Sequence, residues 1–127
     1  MAQPVVHFEI IGTDPSRLRE FFTGLFGWEF DTNVRVVAAV SEPDNYGFLE
    51  RVVAGDGTGI RGGVGGGRRF QPHTVFYVGV PDVEEALRRA ERLGGRRVMG
   101  PEIAPNGLVV GQVADPEGNV IGVASGP

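Results

Sequence analysis

A shift of 68 residues lays the second half of this 127-residue chain over the first, and that internal repeat restricts the fold more than any single motif does. Asp14 falls on Asp82, Leu25 on Leu93 and Gly27 on Gly95. "VVHFEIIG" (5–12) reads as a strand. Asp14 is a good N-cap, Pro15 suits the first helical position, and Leu18, Phe21, Phe22 and Leu25 repeat at helical spacing. The spacing predicts a helix over 15–26, which Gly27 can end. Three strand-like runs follow: "WEFDTNVRVVAAV", "YGFLERVV" and "GIRGGV", with "SEPDN" between the first two.

The second half keeps the order. "HTVFYVGV" is a strand, and "PDVEEALRRAERLGG" predicts a helix over 83–94, with Asp82 and Glu85 spaced as a capping box. Its apolar stripe is Val83, Ala86, Leu87, Ala90 and Leu93. "RRVMG", "LVVGQVA" and "NVIGVA" then read as short strands, the last introduced by the turn "DPEGN". The whole implies one α+β domain over 1–127, made of module 4–66 and module 71–125. The 21 glycines and nine prolines fall mostly between apolar runs, so they read as turns rather than as disorder.

Composition removes several functions. A net charge of −4 gives no electrostatic footprint for nucleic acid, and the pairs Arg68-Arg69, Arg88-Arg89 and Arg96-Arg97 are separated and diluted by acids. Without cysteine there is no thiol catalysis, disulfide or cysteinyl metal site. All twelve basic residues are arginine, which excludes a Schiff-base or Walker lysine. No signal peptide and no apolar run of membrane-spanning length can be read, so the expectation is a soluble cytoplasmic protein with no membrane partner. Gly57, Gly59 and Gly62 fit G-x-G-x-x-G, but "GVGGGRRFQP" lacks the helix a dinucleotide fingerprint needs.

Side chains alternate along a strand, so His7 and Glu9 share one face of the first strand and Val6, Phe8 and Ile10 the other. Tyr77 corresponds to Glu9 under the 68-residue shift. Trp28, Phe30, Tyr46 and Phe48 are candidates for cavity walls or core.

The doubled module, "HFEI" near the start, "LFGWEF" after the first helix and "DPEGNVIGV" at the end resemble the vicinal oxygen chelate superfamily, which includes glyoxalase I, extradiol dioxygenases and bleomycin resistance proteins. The resemblance covers nearly the whole chain. It implies two tandem βαβββ modules forming a cupped, eight-stranded incomplete barrel with helices on the outer faces. It also implies a homodimer, the common state of small members. In metal-dependent members each module supplies a ligand from its first strand and another, usually glutamate, from its last. His7 matches the first position. The second-module counterpart is Val75, with His73 two residues upstream, and Gly122 stands where the last-strand glutamate is expected. "GIRGGV" offers no carboxylate, and Glu50 belongs to the preceding strand.

The expectation is therefore no metal cofactor and a small-molecule ligand bound by His7, Glu9, His73 and Tyr77. The alternative is a glyoxalase- or dioxygenase-like enzyme. It would use a displaced site for a divalent metal such as Zn, Ni, Fe or Mn, built from His7, Glu9, His73 and Glu50, or it would use His7 or Glu9 as a metal-free general base. Whether the chain is an enzyme, and on what, stays open at this point. Pseudo-symmetry between the first strands further predicts that Glu9 meets His73.

Overall fold

A computed structural model describes residues 2–49, 55 and 59–126. Contacts divide the chain into two compact units, His7–Thr74 and Met1–Val6 with Val75–Pro127.

In the first unit, β1 (Val5–Gly12) leads into α1 (Pro15–Phe26), followed by β2 (Gly47–Leu49) and β3 (Arg61–Gly66). The strand order is β2-β3-β1. β3 runs parallel to β1 with His7 opposite Arg61, Glu9 opposite Gly63 and Ile11 opposite Gly65, and β2 runs antiparallel to β3. The helix begins and ends where the sequence places it. Asp14 Oδ1 accepts from Arg17 N–H at 3.3 Å, and Gly27 closes the last turn at φ 73°, a left-handed conformation a glycine takes without strain. α1 lies on the sheet face that carries Phe8 and Gly12; a Cβ at Gly12 would meet the Leu18 side chain. Trp28 gathers Phe8, Phe22 and Phe26 around it at ring distances of 5.0–5.5 Å. Phe21 and Leu25, expected on the buried stripe, are each 59% exposed instead.

The strand expected over "WEFDTNVRVVAAV" is corrected. Residues 28–40 form an irregular segment whose one ladder contact among the described residues is the bridge Asp31–Phe48. Its polar residues win locally. Asp31 Oδ1 accepts from Asn33 N–H at 2.9 Å, an Asx turn that competes with strand pairing and overrides the valine-rich composition. Seven strands therefore stand among the described residues, where eight were expected.

The second unit contains β4 (His73–Gly79), whose residues from Val75 onward belong to it, α2 (Val83–Arg92), β5 (Arg96–Ile103), β6 (Val109–Ala114) and β7 (Val120–Ser125), in the order β4-β7-β6-β5. The three strands expected after the helix are all present. Asp82 caps α2 through Glu85 N–H at 3.1 Å, while the Glu85 carboxylate accepts from Arg92. Val83 and Leu87 are buried against Val123, with Val109 and Val113 around them. The helix stops at Arg92, and Leu93, placed on the stripe by its spacing, lies beyond the last turn and is 71% exposed. Asp115 organises the "DPEGN" turn: Oδ1 accepts from Glu117 and Asn119 N–H, and Oδ2 from the Asn119 amide, each at 2.9 Å.

Candidate functional site

Because α1 covers the Phe8 face of β1, His7 and Glu9 lie on the opposite face. Period-two alternation adds Arg61, Gly63 and Gly65 from β3 and Phe48 from β2 to that face. Tyr46, two residues before Phe48, projects the same way. Its ring crosses β3 where Gly63 and Gly65 leave space; a Cβ on Gly63 would run into the ring and its hydroxyl. Gly63 and Gly65 are thus a bed for an aromatic ring, and the G-x-G-x-x-G match ends at Gly62 inside β3, which leads into a turn and not a helix.

That ring joins the two residues the sequence singled out. Tyr46 Oη donates to Glu9 Oε2 at 3.0 Å, and His7 Nε2 lies 2.9 Å from the same hydroxyl. A phenol has one proton to donate, so the His7 ring nitrogen is the donor in the second bond and neutral His7 carries its proton on Nε2. Glu9 is only 4% exposed and Tyr46 2%. Burial, with a smaller contribution from the Arg61 cation, lowers the His7 pKa from 6.5 to about 4, so the imidazole is neutral at pH 7. The His7 and Phe48 rings stack at 5.5 Å with a 21° interplanar angle.

The position of Tyr46 is fixed from behind. Arg19, on α1, donates to the carbonyls of Val64 and Asn45 at 3.2 and 3.4 Å and to Asn45 Oδ1 at 3.2 Å. Fully buried Ser41 takes Gly66 N–H on its hydroxyl at 2.9 Å. Helix and strand end together hold the loop that delivers the tyrosine.

The expected meeting of Glu9 with His73 is corrected. His73 is exposed at the start of β4, where Nδ1 bonds Gln71 O at 2.7 Å. It lines a separate groove of about 620 Å³ with Ile10, Thr13, Asp14 and Arg17, of which Glu9 is no part. A strand-start histidine is served by the nearest backbone carbonyl, whereas a buried carboxylate takes a hydroxyl from its own unit. In the second unit, Tyr77 is 2% exposed and its hydroxyl accepts from Gln112 Nε2 at 2.9 Å. Sequence reasoning placed Tyr46 and Phe48 among walls or core and missed Arg61 and Gln112. The available signal was the paired spacing of Gly63 and Gly65, which leaves room for a ring.

Two positions that the superfamily resemblance assigns to ligands of a divalent metal carry no donor side chain. Val75 is aliphatic, and Gly122 lies opposite Tyr77 in the parallel β4–β7 register, where a Cβ would strike the tyrosine ring. Among the described residues no group of three or more His, Asp or Glu could hold an ion, and Glu50 lies outside them.

A family model described as the Glyoxalase/Bleomycin resistance protein/Dioxygenase superfamily matches residues 5–123. Among solved structures, a methylmalonyl-CoA epimerase from Streptomyces coelicolor in complex with 2-nitronate-propionyl-CoA is 16% identical, with a TM-score of 0.70 over 98% of each chain. A hypothetical protein from Bacillus halodurans C-125 is 14% identical, with a TM-score of 0.67 over 100% of this chain and 96% of the other. A glyoxalase/bleomycin resistance protein/dioxygenase superfamily member from Vibrio splendidus 12B01 is 17% identical, with a TM-score of 0.61 over 98% of this chain and 100% of the other. No curated protein matches.

Proposed function

The chain belongs to the Glyoxalase/Bleomycin resistance protein/Dioxygenase superfamily, and from that premise we propose that it binds a small molecule, without a metal, on the face carrying His7, Glu9 and Tyr46. The observation that carries this reading is a 4%-exposed carboxylate and a half-buried neutral imidazole bridged by one tyrosine hydroxyl beside Phe48. A few convergent polar groups on an apolar wall are the usual make-up of a small-molecule site. The proposal keeps the two βαβββ modules and, apart from this face, ligand-binding roles for His73 in its own groove and for Tyr77 in the second unit. The epimerase complex supports it only as a distant example of this fold holding a small organic ligand.

The same hydrogen-bonded chain favours a second reading, metal-free acid–base catalysis with His7 or Glu9 as the base. The binding test is a fragment library of amides, alcohols and carboxylates, titrated into isotope-labelled protein while the His7 and Phe48 ring signals are followed. Saturable shifts at those rings, lost in Glu9→Gln, are expected. A library that leaves both rings unmoved would sink the reading. Elemental analysis and titration with zinc, nickel, iron and manganese address the metal, and a stoichiometric ion with micromolar affinity would overturn that part alone.

A further inference from the structure

Arg61 stands across from His7 in the parallel register of β1 and β3, and residues so paired present their side chains to the same face. It is exposed, while His7 beside it is half-buried. Its charge is felt at the imidazole as a force against protonation. Arg88, Arg92 and Arg97 each pair with glutamates of α2. Arg61 makes no ion pair among the described residues. Among the described residues, Glu9 shares its face, and its register partner is Gly63 rather than Arg61. That offset is two strand positions, roughly 7 Å, and Glu9 already accepts the Tyr46 proton.

Building on the proposed binding face, we infer that Arg61 anchors an anionic group, a carboxylate or phosphate, of the small molecule held there. A guanidinium presents a planar fork of donors that matches such groups bidentately. The neutral His7 ring and Phe48, stacked at 5.5 Å, give the remainder of the ligand an aromatic surface. The ligand class is thus a small anion with an apolar or aromatic body, its charge at the Arg61 rim and its body over Phe48 and His7.

The test uses the full chain with labelled histidine rings. Benzoate, phenyl phosphate and the neutral benzyl alcohol are titrated separately into wild type, Arg61→Gln and Arg61→Lys. At least one anion is expected to shift the His7 ring saturably. The neutral alcohol should bind about ten-fold more weakly, the loss of one charged contact, and so should the anion to Arg61→Gln. Arg61→Lys, which keeps the charge and loses the fork, should fall between. The bound anion should also raise the His7 pKa, because it offsets the Arg61 charge. Equal binding of benzyl alcohol and benzoate, or undiminished anion binding by Arg61→Gln, would overturn the anchor. Either result leaves the binding face standing if library hits at His7 persist. No shift from any anion overturns the anchor, and with no library hit at all the binding face falls too.

Discussion

Replacing Tyr46 by phenylalanine removes one oxygen and leaves the ring that fills the space over Gly63 and Gly65. The hydroxyl hydrogen-bonds to Glu9 at 3.0 Å and with His7 at 2.9 Å. A neutral hydrogen bond contributes about 0.5–1.5 kcal/mol net, and one to a charged group about 1.5–3 kcal/mol. A simple sum overstates the loss, because His7 and Glu9 both retain other interactions. Against that, Glu9 is 4% exposed, so water recovers little of what the phenol supplied. The expected destabilisation is about 2 kcal/mol, which for a domain of this size lowers the melting temperature by roughly 6–10 °C. Urea denaturation with an unchanged slope measures it. A double-mutant cycle with Glu9→Gln isolates the pair and should return a coupling of about 1 kcal/mol or more. If Tyr46→Phe costs under about 0.5 kcal/mol, or the two substitutions simply add, the bridge through this hydroxyl is not holding the carboxylate.

Gly63→Ala and Gly122→Ala should each destabilise by about 1–3 kcal/mol through overpacking against Tyr46 and Tyr77, and Tyr77→Leu should recover part of the Gly122→Ala loss; a neutral effect in denaturation would contradict the ring-over-glycine packing. The His7 pKa falls from 6.5 to about 4, so its neutral form adds stability that is fully present above pH 6.5 and is lost as pH drops toward 4. That amounts to about 2–3 kcal/mol, and the stability difference between wild type and His7→Gln, followed from pH 7 to 4, should show it. Arg97, hydrogen-bonded to Glu84, holds that carboxyl down from 4.5 to about 2; its contribution is present above pH 4.5 and is lost as pH falls toward 2. Acid denaturation of Glu84→Gln should lack that portion of the wild-type slope.

The sequence determined what depends on local spacing. The capped helix at 15–26, the start of α2 at Val83, the β4–β7 strands and the "DPEGN" turn each follow from a few neighbouring residues whose conformational preferences agree. The same local logic, with the 68-residue repeat, is enough to identify the superfamily. It also places His7 and Glu9 on one face, since alternation along a strand needs no tertiary information. It failed where local signals disagree. Residues 28–40 are rich in β-branched side chains, yet an Asx turn at Asp31 claims the backbone, and Phe21, Leu25 and Leu93 have helical spacing yet stay largely exposed.

Tertiary structure alone decided the partners. Glu9 and His73 are both polar and were brought together by pseudo-symmetry. Which group a buried carboxylate meets depends on loop paths and on where glycines leave room. Tyr46 reaches Glu9 because Gly63 and Gly65 clear a path for its ring, and because Arg19 and Ser41 pin the loop before it. Arg61 stands beside His7 because β3 returns parallel to β1 in one register, and a shift of one residue would send it to the other face. Such choices rest on contacts between residues 25 to 54 positions apart, whose satisfaction no local preference encodes.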